Sequence, residues 1–494
     1  MTPTVHPRLE TAPKGEALDR IVIEPVTRVE GHGKVTLLLD RENRVKQARL
    51  HIVEFRGFEK FIQGRPIREV PVLVQRLCGI CPVSHHLAAA KAVDMIAGAR
   101  ALPPTAEKLR RLLHVGQTLQ SHALHFFHLA SPDLLLGFES DVAARNIVGV
   151  IRKHPDVALQ GVKLRKYGQE VIRILTGKRV HGTFALPGGV NKGLAPADRE
   201  ALLAEIDTMV AWSRGAVDLA RTMFLADRAR NEAFGSFRSN FLSLTAPDGS
   251  FELYDGDLRA TDAEGARIFD HADVVHYLRM IHEEVKPWSY MKFPFIVSRG
   301  NDEGWYRVGP LARLNNAGRM PTPLAEAARK DFMALGSGGP VHATLAYHWA
   351  RLVEMLCAAE LIRELLLDPD ILGTELRAEG TPGLEGVGVI EAPRGTLIHH
   401  YRVNEEGTVV KANLIVSTTH NNTAMNSAVR EVAASDFDGR EITEGLLNRI
   451  EVAIRAYDPC LSCATHALGK MPLEVEVLDA EGGLVVRRAR GGEG

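Results

Sequence analysis

Apolar residues recur at helical spacing from Pro104 to Ala130, where Leu109, Leu112, Leu113, Leu119 and Phe126 share a face. The spacing predicts one long helix, with Pro132 shortly beyond its end. The same pattern covers Pro196 to Phe224 and His342 to Leu367, and a shorter stretch runs from Ile442 to Tyr457. Pro71 to Leu77 and Pro82 to Ala97 read as helical segments on either side of a Cys78-Gly79-Ile80-Cys81 turn. Pro82 suits a first helical position, since a residue there has no N–H partner to lose. Ile21 to Glu54 alternates apolar and polar residues around Asp40-Arg41-Glu42-Asn43, as a hairpin does, and Leu473 to Arg488 alternates again around Glu481-Gly482-Gly483. The expected fold class is therefore α+β and predominantly helical: a long-helix bundle core with small peripheral β-sheets.

After a Pro-rich start, residues 1–18, expected to be mobile, no repeat, low-complexity tract or linker divides the chain, so a single interlocked domain is expected. The Gly-rich stretches Pro187-Gly188-Gly189 and Gly336-Ser337-Gly338-Gly339 match neither a dinucleotide fingerprint nor a P-loop, so no bound nucleotide is expected. Lys plus Arg (60) nearly balances Asp plus Glu (61), which argues against a nucleic-acid partner. No apolar run has the roughly 18 residues that a membrane span requires, so a soluble chain is expected.

Five cysteines in 494 residues are not a disulfide framework, and four of them form two C-x-x-C pairs, Cys78/Cys81 and Cys460/Cys463. That usage points to metal or redox chemistry in a reducing compartment. Each pair can chelate one ion through soft sulfur, which favours zinc, iron or nickel over hard cations. Spacing alone favours a structural zinc site with four cysteine ligands. The surroundings shift that balance: the pairs lie almost the whole chain apart, beside long apolar helices, with basic, acidic and His residues that a closed zinc site does not explain. Cys81 precedes Pro82 at a helix N-terminus, where the dipole favours thiolate. Arg76 and His85 flank the first pair, offering a cation and a hydrogen-bond donor behind the sulfurs. Histidines 122, 125 and 128 sit at helical spacing and read as core residues, or as residues behind the metal ligands, rather than as ligands. Cys357, inside an apolar helix, reads as a packed free thiol.

Five segments resemble the large subunit of nickel-iron hydrogenases: Pro25-Val-Thr-Arg-Val-Glu-Gly-His32, Arg76 to His85, His181-Gly-Thr-Phe-Ala-Leu-Pro-Gly-Gly-Val190, Glu391-Ala-Pro-Arg-Gly395 and Asp458-Pro-Cys-Leu-Ser-Cys-Ala-Thr-His466. The resemblance spans nearly the whole chain and keeps the family's order. Arg56-Gly-Phe-Glu-Lys60, Cys81-Pro-Val-Ser-His-His86 and Ser121-His-Ala-Leu-His-Phe-Phe-His-Leu129 look most like the NAD-reducing, cytoplasmic branch.

The resemblance implies reversible heterolytic cleavage of H2 at a nickel-iron centre whose iron carries cyanide and carbon monoxide. Cys78 and Cys460 match terminal nickel ligands, and Cys81 and Cys463 match bridges between nickel and iron. Cys460 matches the base, Glu30 the first carboxylate of a proton relay, Arg394 a guanidinium over the open coordination position, and Asp458 the group that orients it. Pro393 and Thr418 match residues around the iron, Thr418 as a donor to a cyanide. Glu59, the Leu414 carbonyl and His466 match a magnesium site. With no cysteine left for an iron-sulfur cluster, the chain is expected to dock an iron-sulfur small subunit, and through it a flavin-containing NAD diaphorase. The catalytic domain is then residues 19–466. Residues 467–494 match an extension that a nickel-dependent endopeptidase removes at His466-Ala467 once metal-insertion factors have acted. The alternatives are a quinone-module homologue without hydrogenase activity and a hydrogen-sensing regulatory subunit. Retention of all four cysteines argues against the first, and the tail argues against the second.

Overall fold

The structure, a computed structural model, describes residues 19–42, 44–99, 101–436 and 443–465, and the backbone of 473–478 and 484–490. Four long helices, Pro104–Leu124, Pro155–Thr176, Pro196–Ala226 and Ala346–Leu367, pack together as the bundle. The apolar stripe read from the sequence is the buried one: Leu109, Leu112, Leu113 and Leu119 have no exposed surface.

The first long helix does not stop before Pro132. A π-helical turn, His125–Ala130, continues it into Ser131–Leu136. Proline removes a backbone donor, and the wider turn with the Ser131 hydroxyl, which donates to the Phe127 carbonyl at 2.6 Å, carries the helix past that gap. Helix Pro155–Thr176 was not anticipated, although Leu164, Val171, Ile172 and Leu175 recur on its buried face at helical spacing beside Gly161 and Gly168. The third expected helix begins at Ala346 rather than His342. Upstream of it, Thr344 is tied to the Gly235 carbonyl and Ser236, and His342 to Arg307 and the Ala263 carbonyl. These side-chain bonds hold the segment out of helix.

The N-terminal alternation forms a three-stranded antiparallel sheet, Asp19–Ile23, Gly33–Leu39 and Val45–Ile52. A second sheet is built on Asn240–Thr245. A third, Glu385–Ala392, Gly395–Val403 and Val409–Ile415, is covered on both faces along most of its length. It presses so closely on helix Pro82–Ala97 that a Cβ at Gly388 would lie 1.9 Å from the Ala88 carbonyl. This contact fixes the helix that follows the first cysteine pair against the sheet that carries Arg394. The tail strands Leu473–Leu478 and Leu484–Arg490 pair antiparallel, as the alternation predicts, while the turn between them lies outside the described residues. So do residues 1–18, His466 and Ala467. Among the described residues no helix is long and apolar enough to cross a membrane.

Candidate metal centre

The two cysteine pairs meet. Cys78 Sγ lies 3.3 Å from Cys460 Sγ, Cys460 Sγ lies 2.7 Å from Cys463 Sγ, and all four buried sulfurs fall within 4.8 Å of one another. Two sulfurs on one ion, at about 2.3 Å each, stand at most about 4.6 Å apart. The cluster therefore has the size of a one- or two-ion centre.

Local structure places each pair. In the first, the Ile80 and Cys81 N–H groups both point at Cys78 Sγ at 3.2 Å, and Cys81 forms the N-cap of helix Pro82–Ala97. Gln117 and Gln120 of the long helix each donate to the Ile80 carbonyl at 2.9 Å, pinning the turn from behind. The second pair follows helix Glu444–Ala456, whose Thr443 cap accepts the Leu446 N–H. Glu30 and Cys460 form an isolated backbone bridge, and Leu461 N–H donates to the Glu30 carbonyl at 2.9 Å. Gly31 allows this approach: its φ is +86°, and a Cβ there would lie 2.6 Å from Ser462 N. Arg28, His181 and Asp458, all in the quoted motifs, adopt the left-handed region that a side chain disfavours. Such conformations persist where the surroundings dictate them.

The site carries more thiol than it can ionise alone. Hydrogen bonds from Cys460, Cys463 and Cys78 hold the Cys81 thiol well below its ordinary value, whereas burial pushes Cys460 and Cys463 well above theirs. A cation among the sulfurs removes that conflict. Burial works against the charge of Arg394, but Asp458 and the thiols of Cys460, Cys81 and Cys78 outweigh it and hold the guanidinium protonated. Burial also raises the Asp458 carboxyl, opposed by Arg394 and Arg351.

Arg394 occupies the two-residue tip of the hairpin closed by Ala392 and Gly395. It donates Nε to the Asp458 carbonyl at 2.6 Å and an Nη2 N–H to Asp458 Oδ1 at 3.0 Å. Its Nη1, like His85 Nε2, is buried without a protein partner. Both residues line a cavity of ≈ 10 Å³ together with Pro393, Thr418, Cys81, Cys460 and Cys463. That is room for about one small ligand. Thiols on one side and unpartnered donors on the other fit a centre that holds small acceptor ligands, whereas a closed four-sulfur zinc site uses neither donor.

The remaining predicted residues fall as follows. Glu30 Oε2 lies 3.0 Å from Cys460 Sγ, and its carboxylate also accepts the Ser462 N–H and hydroxyl. Arg28 pairs with Asp133 at 2.6 Å rather than with Glu30. Thr418 accepts the Cys460 N–H at 2.9 Å, which leaves its own proton available. Glu59 accepts the Leu414 N–H at 2.8 Å, and burial raises its carboxyl above the usual range. The Thr465 carbonyl accepts the Arg56 N–H at 3.1 Å, which ties the end of the second cysteine segment to the turn before Glu59. Arg76 is exposed and does not face the sulfurs. It reaches His181 at 2.7 Å, and His181 in turn contacts the Cys78 carbonyl at 3.0 Å. The protein backbone thus stands between that cation and the thiols. His122 and His125 are core residues, bonded to Glu354 at 3.0 Å and to the Arg455 carbonyl at 2.7 Å. Gln117, Gln120 and His399, which contacts His85 at 3.1 Å, were not singled out from sequence. No short-range spacing links them to the cysteines.

A family model described as nickel-dependent hydrogenase matches residues 56–138 and 252–466. The chain belongs to the nickel-dependent hydrogenase family. A second family model, HoxL-like, matches residues 20–55. Among hydrogenase relatives, the chain is 47% identical to NAD-reducing hydrogenase HoxS subunit beta of Cupriavidus necator, over 95% of this chain and 99% of that one. It is 42% identical to an F420-non-reducing hydrogenase subunit of Methanothermobacter thermautotrophicus, over 95% of this chain and 99% of that one. A crystal structure of an NAD+-reducing nickel-iron hydrogenase in the H2-reduced state superposes with a TM-score of 0.89 at 56% identity, covering 91% of this chain and 99% of that one. The nickel-iron-selenium hydrogenase of D. vulgaris Hildenborough shares the fold, with a TM-score of 0.73 at 23% identity over 91% of this chain and 100% of that one. In this hydrogenase chain the buried four-cysteine group is the metal site, and the α+β large-subunit fold expected from the sequence is the one observed.

Proposed function

We propose that this chain is the catalytic large subunit of an NAD-linked nickel-iron hydrogenase that cleaves H2 reversibly into protons and electrons. The observation that carries the reading is the meeting of four buried thiols, three of which line one small cavity with the unpartnered guanidinium nitrogen of Arg394, while the Glu30 carboxylate reaches Cys460. Cys78, Cys81, Cys460 and Cys463 would hold the nickel-iron centre, with Cys78 and Cys460 as the terminal nickel ligands and Cys81 and Cys463 as the shared ones.

When bound, a nickel-iron centre would supply the acceptor for the hydride, that is, for the electron pair of the H–H bond together with one hydrogen. The rest falls to the chain's own groups. Cys460 sulfur takes the first proton, and the Glu30 carboxylate receives it across 3.0 Å. Ser462, bonded to the same carboxylate, fixes its orientation. Arg394, held by Asp458, keeps a fixed positive charge beside the cavity, where low dielectric strengthens its effect. His85 Nε2 is available to the sulfur of Cys81, and the Thr418 proton to a cyanide on iron; Pro393 shapes the wall. Carbon monoxide would complete that iron.

Glu59, the Leu414 carbonyl and His466 are assigned to magnesium, because a buried carboxylate with a raised pKa gains from a hard cation. The four site cysteines and the buried Cys357 leave no ligands for an iron-sulfur cluster, so electrons leave through an iron-sulfur small subunit. Likeness to NAD-reducing enzymes supports a flavin diaphorase beyond it and a cytoplasmic setting. Residues 19–466 form the catalytic unit. After metal-insertion factors load the site, a maturation endopeptidase removes 467–494 by cutting His466-Ala467.

Infrared spectra of the purified, active complex test the centre directly. Bands of metal-bound cyanide and carbon monoxide are expected, and zinc without nickel or such bands would overturn it. Intact mass tests the processing: an active chain that keeps residues 467–494 would exclude it.

A further inference from the structure

Behind the Arg394 hairpin lies a second buried charge cluster that touches no thiol. Arg313, Glu354 and Glu391 have side chains no more than 1% exposed. Arg313 donates Nε to Glu354 Oε1 at 2.6 Å and Nη2 to Glu354 Oε2 at 2.6 Å. Its Nη1 reaches Glu391 Oε2 at 2.7 Å and the Ala392 carbonyl at 2.9 Å, and its second Nη2 bond goes to the Pro393 carbonyl at 3.1 Å. A guanidinium has five N–H donors in one planar fork, and all are used here. The far oxygen of Glu391 accepts the Leu244 N–H at 2.9 Å and the Thr396 hydroxyl at 2.7 Å, while Glu354 also bonds His122.

The two carbonyls that Arg313 grips belong to the residues immediately before Arg394, and Glu391 and Thr396 close the same hairpin below its tip. On its other side Arg394 is held by Asp458. The backbone from which the Arg394 guanidinium extends is thus oriented by a second guanidinium. Two buried carboxylates against one Arg are a poor device for stability, because desolvation consumes most of the attraction. Five satisfied donors converging on one turn give geometry instead.

We propose that Arg313, braced by Glu354 and Glu391, is a positioning residue that sets where the Arg394 guanidinium stands over the thiol cavity. The proposal rests on the assignment of Arg394 to H2 activation. Lysine keeps the charge of Arg313 but presents three donors from a single point, so it cannot serve both carbonyls and both carboxylates.

The test uses the mature complex with R313K, R394K and the double variant. In R313K, kcat for H2 oxidation should fall roughly 10- to 100-fold, the cost of a small misplacement of a reacting group, with KM for H2 unmoved. Amide hydrogen exchange of peptides spanning residues 391–397 should accelerate while that of peptides over the first cysteine pair stays as in the parent. The double variant should be no slower than R394K alone, because Arg313 acts through Arg394. Multiplying losses, or unchanged exchange at 391–397, would overturn the proposal. If R394K proves as active as the parent, the role given to Arg394 fails. That outcome is told apart by exchange at 391–397, which still rises in R313K. Should R313K not fold, E391Q takes its place with the same exchange readout: faster exchange at 391–397 supports the proposal, and unchanged exchange overturns it.

Discussion

Glu30 Oε2 stands 3.0 Å from Cys460 Sγ, and the two residues also form a backbone bridge, although 430 positions separate them in the chain. The side-chain contact is consequently not a chance of rotamers: the backbone pairing and the Leu461 N–H on the Glu30 carbonyl hold both residues in register. A sulfur that receives a proton has one carboxylate within reach to pass it on.

Glu30→Gln should therefore lose H2 turnover by about 100-fold or more, the usual worth of a positioned acid–base group. Glutamine retains the shape and an acceptor for Ser462 but cannot carry the proton. Nickel and iron contents should stay at the parent level. A Gln variant that turns over H2 as fast as the parent would remove Glu30 from the proton route.

The cysteines should separate by role. Cys81→Ser should yield a chain lacking the nickel and iron of the parent, because it replaces one soft sulfur of the buried four-thiol group by a hard oxygen. Cys357→Ala should keep full metal content and H2 turnover, at a stability cost of about 1 kcal/mol for one buried atom group. Metal analysis with thermal unfolding checks both; loss of nickel from the Cys357 variant would show that the buried thiol is not merely packed.

A pH effect follows from His86. Its Nδ1 faces the Pro71 carbonyl at 2.7 Å and its Nε2 accepts the Ala185 N–H at 2.9 Å, so the neutral ring is required. Burial pushes its pKa down to about 4 from 6.5. Between these values the unfolded chain binds the proton and the folded chain does not, so stability falls as pH drops through that window. Urea midpoints of His86→Gln should decline less steeply from pH 6.5 to 4 than those of the parent. Parallel declines would mean that the ring titrates freely in the fold.

Much of this arrangement was legible in the sequence. Cysteine spacing, the Pro82 helix start and the apolar period of Pro104–Leu124 are local signals, and each appears where it was read. Helix Pro155–Thr176 was missed although its inner face carries Leu164, Val171 and Leu175 at helical spacing, interleaved with Gly161 and Gly168. Arg76 looked like a cation for the thiols because it is near in sequence, yet it points outward to His181. The grip of Arg313 on Ala392 and Pro393 spans about 80 residues between a helix and a hairpin, and no periodicity reports such a contact.

The most direct test is isotope exchange by the mature complex under D2 in ordinary water with no electron acceptor. If cleavage is heterolytic and one deuteron passes to Cys460 and Glu30 to exchange with solvent, the parent should release HD. Glu30→Gln should do so at about one hundredth of that rate or less. A parent complex that carries its full nickel and iron yet releases no HD would contradict the account.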